Sequence, residues 1–436
     1  MKRLSLILLL FVYAAPAMPV ELSGDDPARL IYMMEKGGLE RRQAFWFAYQ
    51  SKQFFLLRRV VRYLLDSDDY EDHRMILRIM EVLGPTLDTY IPGWYEILDR
   101  YMTFTVPDDL LIRCMKLSVR FKEHRMVFAI TRMMEHPIHA VRLEAIQSLL
   151  AMENDNVVPV LIRYMKSDDP VLMIYGLQGA RVLGDARLLP FIRELLEHRN
   201  KSVRIYALRA VAESKGEGDL SYLITGRFSR ENNAEVRRTI VQIIGERTIG
   251  GQQYTVTRAM QDPAPIVREA AYFTAVQLRS SMFARELSLR LSQEEDSRLR
   301  AVIIDALTRL NMGDPLSALS RVAQSDADPA LRSLAVRAIG KIRDRTQNDS
   351  LFQAATTDTD AAVRLEAAQS LTLLADPGLG PKLASAVENN NLDTEVRFLL
   401  FRALVKSGNR EALRQLKERA RNIQDPVLRN TVLSEA

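Results

Sequence analysis

One cysteine, two tryptophans and five histidines among 436 residues leave little from which to build a reactive site. The single thiol, Cys114, rules out an intramolecular disulfide. It stands in the apolar run LLIRCMKLSV and reads as a small buried hydrophobe. The histidines, His73, His124, His136, His139 and His198, lack metal-ligand spacing. His136 and His139 are close, but Pro137 puts them around a helix start, and no carboxylate joins them in an HExxH-like frame. There is no glycine-rich phosphate loop, no GxSxG elbow and no paired nucleophile and base, and GEGD and TIGGQQ read as inter-helix turns. The expectation is a chain with no catalytic residue, no metal and no cofactor.

Charge of one sign is also scarce. The formal net charge is +5, and removing Lys2 and Arg3 with a leader peptide leaves 5 − 2 = +3, too little for a nucleic-acid footprint. Long hydrophobic runs are missing except at the start, where MKRLSLILLLFVYAAPA combines Lys2 and Arg3, an apolar stretch from Leu4 to Ala14, and small residues at Ala15 and Ala17. That is the build of a secretory signal peptide over residues 1–17, with the mature chain starting near Met18. The run is about half of the ~20 residues a membrane span needs, so no integral span is expected after its removal. No cysteine follows it to carry a lipid anchor. The expected location is the periplasm or another part of the cell envelope, or outside the cell.

What the sequence does have is a period. In DPALRSLAVRAIGKI, Leu331, Leu334, Ala335, Ala338, Ile339 and Ile342 fall on one face of a helix. Asp328 can cap that helix, Pro329 suits its first position, and Gly340 softens its far end. With Arg332 as anchor, equivalent positions are Arg142, Met173, Arg204, Arg237, Arg268, Arg300, Arg364, Arg397 and Arg429, in steps of 31 to 33 residues. A second short apolar segment lies between successive anchors, so each unit is a helix pair. A period this steady marks a solenoid, in which stacking supplies the continuous core that no single pair can make.

These residues resemble the HEAT family, specifically the short HEAT-like repeats also found in phycobilisome-type bilin lyases. The signature is an Asp shortly before a Val-Arg that opens an xxAxxAL helix, and it covers about residues 136–436. The Trp-Leu-Gly-Tyr pattern of tetratricopeptide repeats and the ankyrin TPLH are absent. The resemblance implies an all-α solenoid of stacked antiparallel helix pairs. It also implies a structural role for the anchor arginines Arg142, Arg204, Arg237, Arg268, Arg300, Arg332, Arg364, Arg397 and Arg429. Each should tie to a carboxylate or carbonyl of an inter-helix turn, with Asp169, Asp328, Asp360, Asp393 and Asp425 as candidate carboxylates, and the joint at Met173 should be held by packing alone.

A second arginine series lies about twenty-one residues after the anchors: Arg163, Arg193, Arg258 and Arg321, with Arg227 and Arg290 one position off and Arg132 an earlier member. The first four point away from the core. Stacked one per repeat, the series would form a basic stripe on the second helices, ending where Gln353, Ser385 and Glu418 take the same place. In HEAT-like arrays the second helices usually line the concave surface. The stripe is therefore the candidate partner site, suited to an acidic protein segment, an anionic glycan or lipid head groups, unless Glu194, Glu286, Glu294 and Glu295 neutralise it.

Residues 18–135 keep helical periodicity without the strict period and read as divergent repeats that begin the array. There Phe47, Phe54 and Leu57 fit one helical face, and the cluster Phe45, Trp46, Phe47, Tyr49, Phe54 and Phe55 reads mainly as core or cap packing. After Asp425 comes one capped helix with no second, a half-repeat whose last face is left partly exposed or is covered. The function expected is that of an exported, non-catalytic scaffold whose curved helical surface binds a protein partner with an acidic segment at the cell envelope, and not nucleic acid. The alternative is a bilin-lyase-like cofactor-transfer accessory or a HEAT-like metal enzyme. Metal enzymes of this kind, such as deoxyhypusine hydroxylase, use His-Glu dipeptides, whereas this chain has the reverse order at Glu123-His124, Glu135-His136 and Glu197-His198.

Overall fold

The computed structural model describes residues 27–36, 38–50, 54–152, 157–214, 221–311 and 315–435; the leader expected over 1–17 lies outside them. Among the described residues the regular elements are α-helices and short 3-10 turns, with no strand. The fold is an all-α solenoid of helix pairs. It divides into two compact units, one up to Lys166 and one from Ser167 onward.

In the second unit the first helices of the pairs are Pro170–Leu183, Lys201–Glu213, Ala234–Glu246, Pro265–Leu278, Ser297–Leu310, Pro329–Ile342, Ala361–Leu374, Thr394–Ser407 and Pro426–Ser434. The second helices are Leu189–Leu195, Ser221–Phe228, Gln253–Ala259, Ser281–Leu291, Leu316–Ser325, Asn348–Thr357, Gly380–Glu388 and Arg410–Glu418. Each first helix packs on the first helix of the next pair.

Helix Pro329–Ile342 shows why the repeat holds. The Asp328 carboxylate accepts the Ala330 N–H at 2.9 Å, and Pro329 occupies the first turn, where its missing donor costs nothing. Leu331, Ala335, Val336, Ala338 and Ile339 are buried, while Leu334 and Ile342 are only half-buried. Val336 joins the core because a first helix is sandwiched between two neighbours and buries more than one stripe. Gly340 has a packing role rather than the softening role expected of it. A Cβ there would lie 2.6 Å from Ser370 Cβ, so glycine lets helix Ala361–Leu374 approach closely. Six of these first helices end on a left-handed residue, which is Gly184 or Gly408 in two repeats and Arg279, Asn311, Arg343 or Ala375 in the other four. In the last helix Leu428 and Val432 are buried and Leu433 is exposed, whereas its equivalents Val336, Ala368 and Phe401 are covered by the next first helix.

The first unit contains helices Pro27–Lys36, Gly38–Gln50, Phe54–Leu65, Tyr70–Leu83, Trp94–Tyr101, Asp108–Arg120, Val127–Met133, His139–Ala151 and Val157–Met165. Arg–carboxylate pairs also join neighbouring helices here: Arg74 with Asp109 at 2.7 and 3.2 Å, and Arg113 with Glu81 at 3.0 and 2.8 Å. Cys114 is fully buried, and burial pushes its thiol up, away from the reactive thiolate. Trp94 is buried with its indole N–H donating to Asp88 at 2.8 Å.

The single face expected for Phe47, Phe54 and Leu57 does not exist. Phe47 belongs to helix Gly38–Gln50 and the other two to helix Phe54–Leu65. The buried stripe of the former helix is Ala44, Phe45 and Ala48, with Trp46 and Phe47 half-buried. The side chains of Tyr49, Phe54 and Phe55 lie outside the described residues.

Candidate functional site: two edges of the repeat

The anchor arginines form a ladder along the inter-helix turns of the second unit. Arg204 grips Glu231 at 2.9 and 2.8 Å, Arg237 grips Asp262 at 2.7 and 2.8 Å, and Arg268 grips Glu294 at 2.8 Å through both nitrogens. Arg332 holds Asp358 at 2.9 and 2.8 Å, and Arg364 holds Asp393 at 2.7 and 2.6 Å. Arg300 sits 3.4 Å from Asp326. The pairings of Arg204, Arg237, Arg268 and Arg332 place two nitrogens on two oxygens, a side-on fork that lysine could not reproduce.

Three of these turn acids also serve the next repeat through both a carboxylate oxygen and the carbonyl. Asp358 accepts the Asp360 N–H at 2.8 Å, and its carbonyl accepts Arg364 Nη1 at 2.7 Å. Glu231 does the same for Asn233 and Arg237, and Asp262 for Ala264 and Arg268. Burial pushes the Glu231, Glu294 and Asp358 carboxyls up. Hydrogen bonds from Arg204, from Arg268 and Tyr272, and from Arg332 outweigh it and hold all three below the usual range.

Of the candidate carboxylates, only Asp393 is an arginine partner. Asp169, Asp328, Asp360 and Asp425 accept backbone N–H groups as helix caps, and the true partners stand two residues earlier in the turn where there is a choice, as at Asp326 and Asp358. Four anchors differ. Met173 is buried, and the turn position across from it holds His198, whose Nδ1 accepts the Asn200 N–H at 3.1 Å. Arg397 is 2% exposed, donates Nε to the Val387 carbonyl at 2.8 Å, and has no partner for Nη2 among the described residues. Its turn position holds Ile423, whose carbonyl lies 3.4 Å from Arg429 Nη1. In the first unit Arg142 donates to the carbonyls of His136 and Pro137 at 2.7 and 2.8 Å.

His73, His136 and His198 make hydrogen bonds within turns and between helices. His136 is buried with Nδ1 accepting the Ile138 N–H, and His73 bridges the Tyr101 hydroxyl and the Ser67 carbonyl. His139 and His124 are exposed, the former 2.8 Å from Arg142. Among the described residues no three His, Cys, Asp or Glu side chains gather as a metal site.

The second arginine series divides by burial. Ile224, Arg227 and Phe228 take the places that Val256, Ala259 and Met260 take in the next repeat, then Leu287, Arg290 and Leu291, then Leu319, Val322 and Ala323. Arg227 and Arg290 therefore turn inward. Arg227 is buried against Glu231 at 3.1 Å and against Glu197, and Arg290 pairs with Glu286 at 3.0 Å. Arg258 and Arg321 point outward on one line, and Arg193 is exposed one residue off it, where Glu194 holds the line. Arg258 donates to Ser229 at 2.8 Å and lies over the Tyr254 ring at 5.9 Å. Arg193, Arg258 and Arg321 have no ion pair among the described residues. In the first unit Arg163 is exposed and paired with Glu135, and Arg132 donates to the Met102 carbonyl at 3.3 Å. In the second unit this series thus leaves three separated exposed arginines without an ion pair among the described residues.

The family model for HEAT repeats matches residues 284–371 and 348–435. The chain is 33% identical over 105 residues to phycocyanobilin lyase subunit beta of Pseudanabaena tenuis (strain PCC 7409), a match covering 24% of this chain and 36% of that one. In structure it is similar to a mutant of the karyopherin Kap121p, with a TM-score of 0.59 at 11% identity over 88% of this chain and 48% of that one. It is also similar to the yeast importin-beta Kap95p, with a TM-score of 0.53 at 11% identity over 93% of this chain and 65% of that one. The chain thus spans about a third of the lyase subunit, half of Kap121p and under two thirds of Kap95p. The identities to the two karyopherins carry the fold alone; the HEAT-repeat model matches the carboxyl-terminal repeats over residues 284–371 and 348–435, so this part of the chain is similar to HEAT repeats, as the lyase match and the arginine ladder also indicate.

Proposed function

We propose that this chain is an exported, non-catalytic HEAT-repeat scaffold that binds a protein partner bearing an acidic segment at the cell envelope. The carrying observation is the contrast between two sets of arginines. The anchors Arg204, Arg237, Arg268, Arg300, Arg332 and Arg364, and the inward Arg227 and Arg290, have carboxylates from the chain itself. Arg193, Arg258 and Arg321 are exposed and have none among the described residues, which leaves their bidentate forks available to an outside carboxylate. Kap95p, a solenoid of the same fold, is described as binding RanGDP, so the architecture is compatible with a protein ligand. Export rests on Lys2, Arg3, the apolar run and the Ala15 and Ala17 pair.

The test compares the full chain with a variant carrying Arg193→Glu, Arg258→Glu and Arg321→Glu, each used to recover proteins from the envelope fraction of the source cells. A partner held by the parent and lost by the variant is the expected result, and equal recovery by both overturns the reading. Fractionation of the tagged chain checks export separately, and a cytoplasmic pool alone would remove the envelope from the proposal. The lyase match favours a second reading, a cofactor-transfer accessory. A tetrapyrrole absorption band on the purified chain would put that reading first.

A further inference from the structure

The exposed face of the second helices carries more than arginine. With the burial patterns in register, two outward rows run across the four helices Ser221–Phe228, Gln253–Ala259, Ser281–Leu291 and Leu316–Ser325. The first row is Tyr222, Tyr254, Arg285 and Ser317, and the second is Gly226, Arg258, Leu289 and Arg321. Tyr222 is 58% exposed, Tyr254 73% and Leu289 47%. Met282 is exposed one turn before Arg285. These side chains are outside the packed core and take no part in the arginine ladder.

We propose that this patch docks an extended polypeptide segment in which acidic side chains alternate with aromatic or aliphatic ones at intervals of about three residues. The proposal rests on reading this face as the protein-binding surface. Neighbouring helix axes lie about 8–10 Å apart, and an extended chain advances about 3.3 Å per residue. One residue in three of a segment crossing the helices therefore meets each new helix. Arg258, Arg285 and Arg321 have no carboxylate among the described residues, so a segment that matches the patch brings its own. Tyr222, Tyr254 and Leu289 offer apolar area at little cost in side-chain entropy, which an all-acidic segment would leave uncovered. An anionic membrane is the weaker match, because lipid-binding basic clusters hold about 4–8 Lys or Arg and this patch holds three, spread over three helices.

The experiment selects peptides from a random display library on the full chain and measures the enriched sequences by fluorescence anisotropy. Two surface variants are compared with the parent, Arg258→Glu with Arg321→Glu and Tyr254→Ser with Leu289→Ser, their folding checked by thermal melting. The expected peptides pair acidic with aromatic or aliphatic residues three apart, and each double variant weakens them by roughly tenfold or more. Purely acidic peptides that ignore Tyr254→Ser with Leu289→Ser would overturn the inference while the acidic-partner reading stands. No enrichment, or peptides that both variants bind unchanged, would sink both. Sedimentation with phosphatidylglycerol vesicles that depends on Arg258 and Arg321 would assign the patch to lipid and also overturn the inference.

Discussion

Two joints of the same array bury the same arginine and neutralise it differently. Arg332 places two nitrogens on Asp358 and a third on the Asp326 carbonyl at 2.9 Å. Arg397 is more deeply buried, yet holds one carbonyl and faces Ile423 where the other joint has Asp358. The hydrogen bonds it donates to Asp358 raise the Arg332 guanidinium above its ordinary value, whereas burial pulls that of Arg397 below, with the Asp425 charge offsetting only part. At a third joint, the turn holds His198 and the anchor is Met173. The anchor arginine is therefore a response to the acid across from it, and where that acid is missing the chain shows both outcomes, replacement and a stranded cation.

The largest expected effect comes from breaking the complete joint. Arg332→Ala leaves Asp358 buried without its partner, a change that costs about 3–5 kcal/mol at other buried pairs. In a repeat array the loss is local, so hydrogen exchange over residues 326–360 should rise far more than over 201–246. Asp358→Ala should do similar damage, and the double variant should fall short of the sum. Exchange that rises evenly along the chain would contradict a ladder of independent joints.

Acid sharpens the same comparison with a smaller effect. Glu231, Glu294 and Asp358 have folded-state values below their unfolded ones, so each contributes stability that is complete above the unfolded value of about 4 and is lost as pH falls through the lower folded value. Thermal melts of the parent should be level from neutral pH down to about 5 and fall below about 4. Arg332→Ala should melt lower at neutral pH but lose less on acidification, since its Asp358 no longer gains from the pairing. Parallel curves would show that the acid response lies elsewhere.

The repeat, its caps and its anchors were legible because each follows from a local rule: spacing, an Asp-Pro start, one arginine per period. Which acid the arginine takes was not legible. In Asp326-Ala327-Asp328-Pro329 both carboxylates are in reach on paper, and only the folded turn assigns Asp328 to the amide of Ala330 and Asp326 to the side of Arg300. The second arginine series divides for a related reason. A shift of one residue turns a helix by about 100°, enough to carry Arg227 and Arg290 from the exposed line into the packed side. Periods that wander between 31 and 33 cannot exclude such a shift. Tyr222 and Tyr254 were visible as residues, but their alignment on neighbouring helices needs the structure.

The smallest effect tests the stranded cation directly. Arg397→Met repeats at the last complete pair what the chain already does at Met173. It removes a buried charge whose Nη2 has no partner among the described residues, at the cost of one bond to the Val387 carbonyl. Replacing buried ionic groups by well-packed apolar ones is often neutral or stabilising by about 1–4 kcal/mol, and the lost bond is worth about 1 kcal/mol. A rise in melting temperature with slower exchange in residues 394–418 is therefore expected. The same substitution at Arg332 should do the reverse, because it strands Asp358. If Arg397→Met destabilises as much as Arg332→Met, the two joints are equivalent after all, and the acid across the turn is not what decides the arginine's worth.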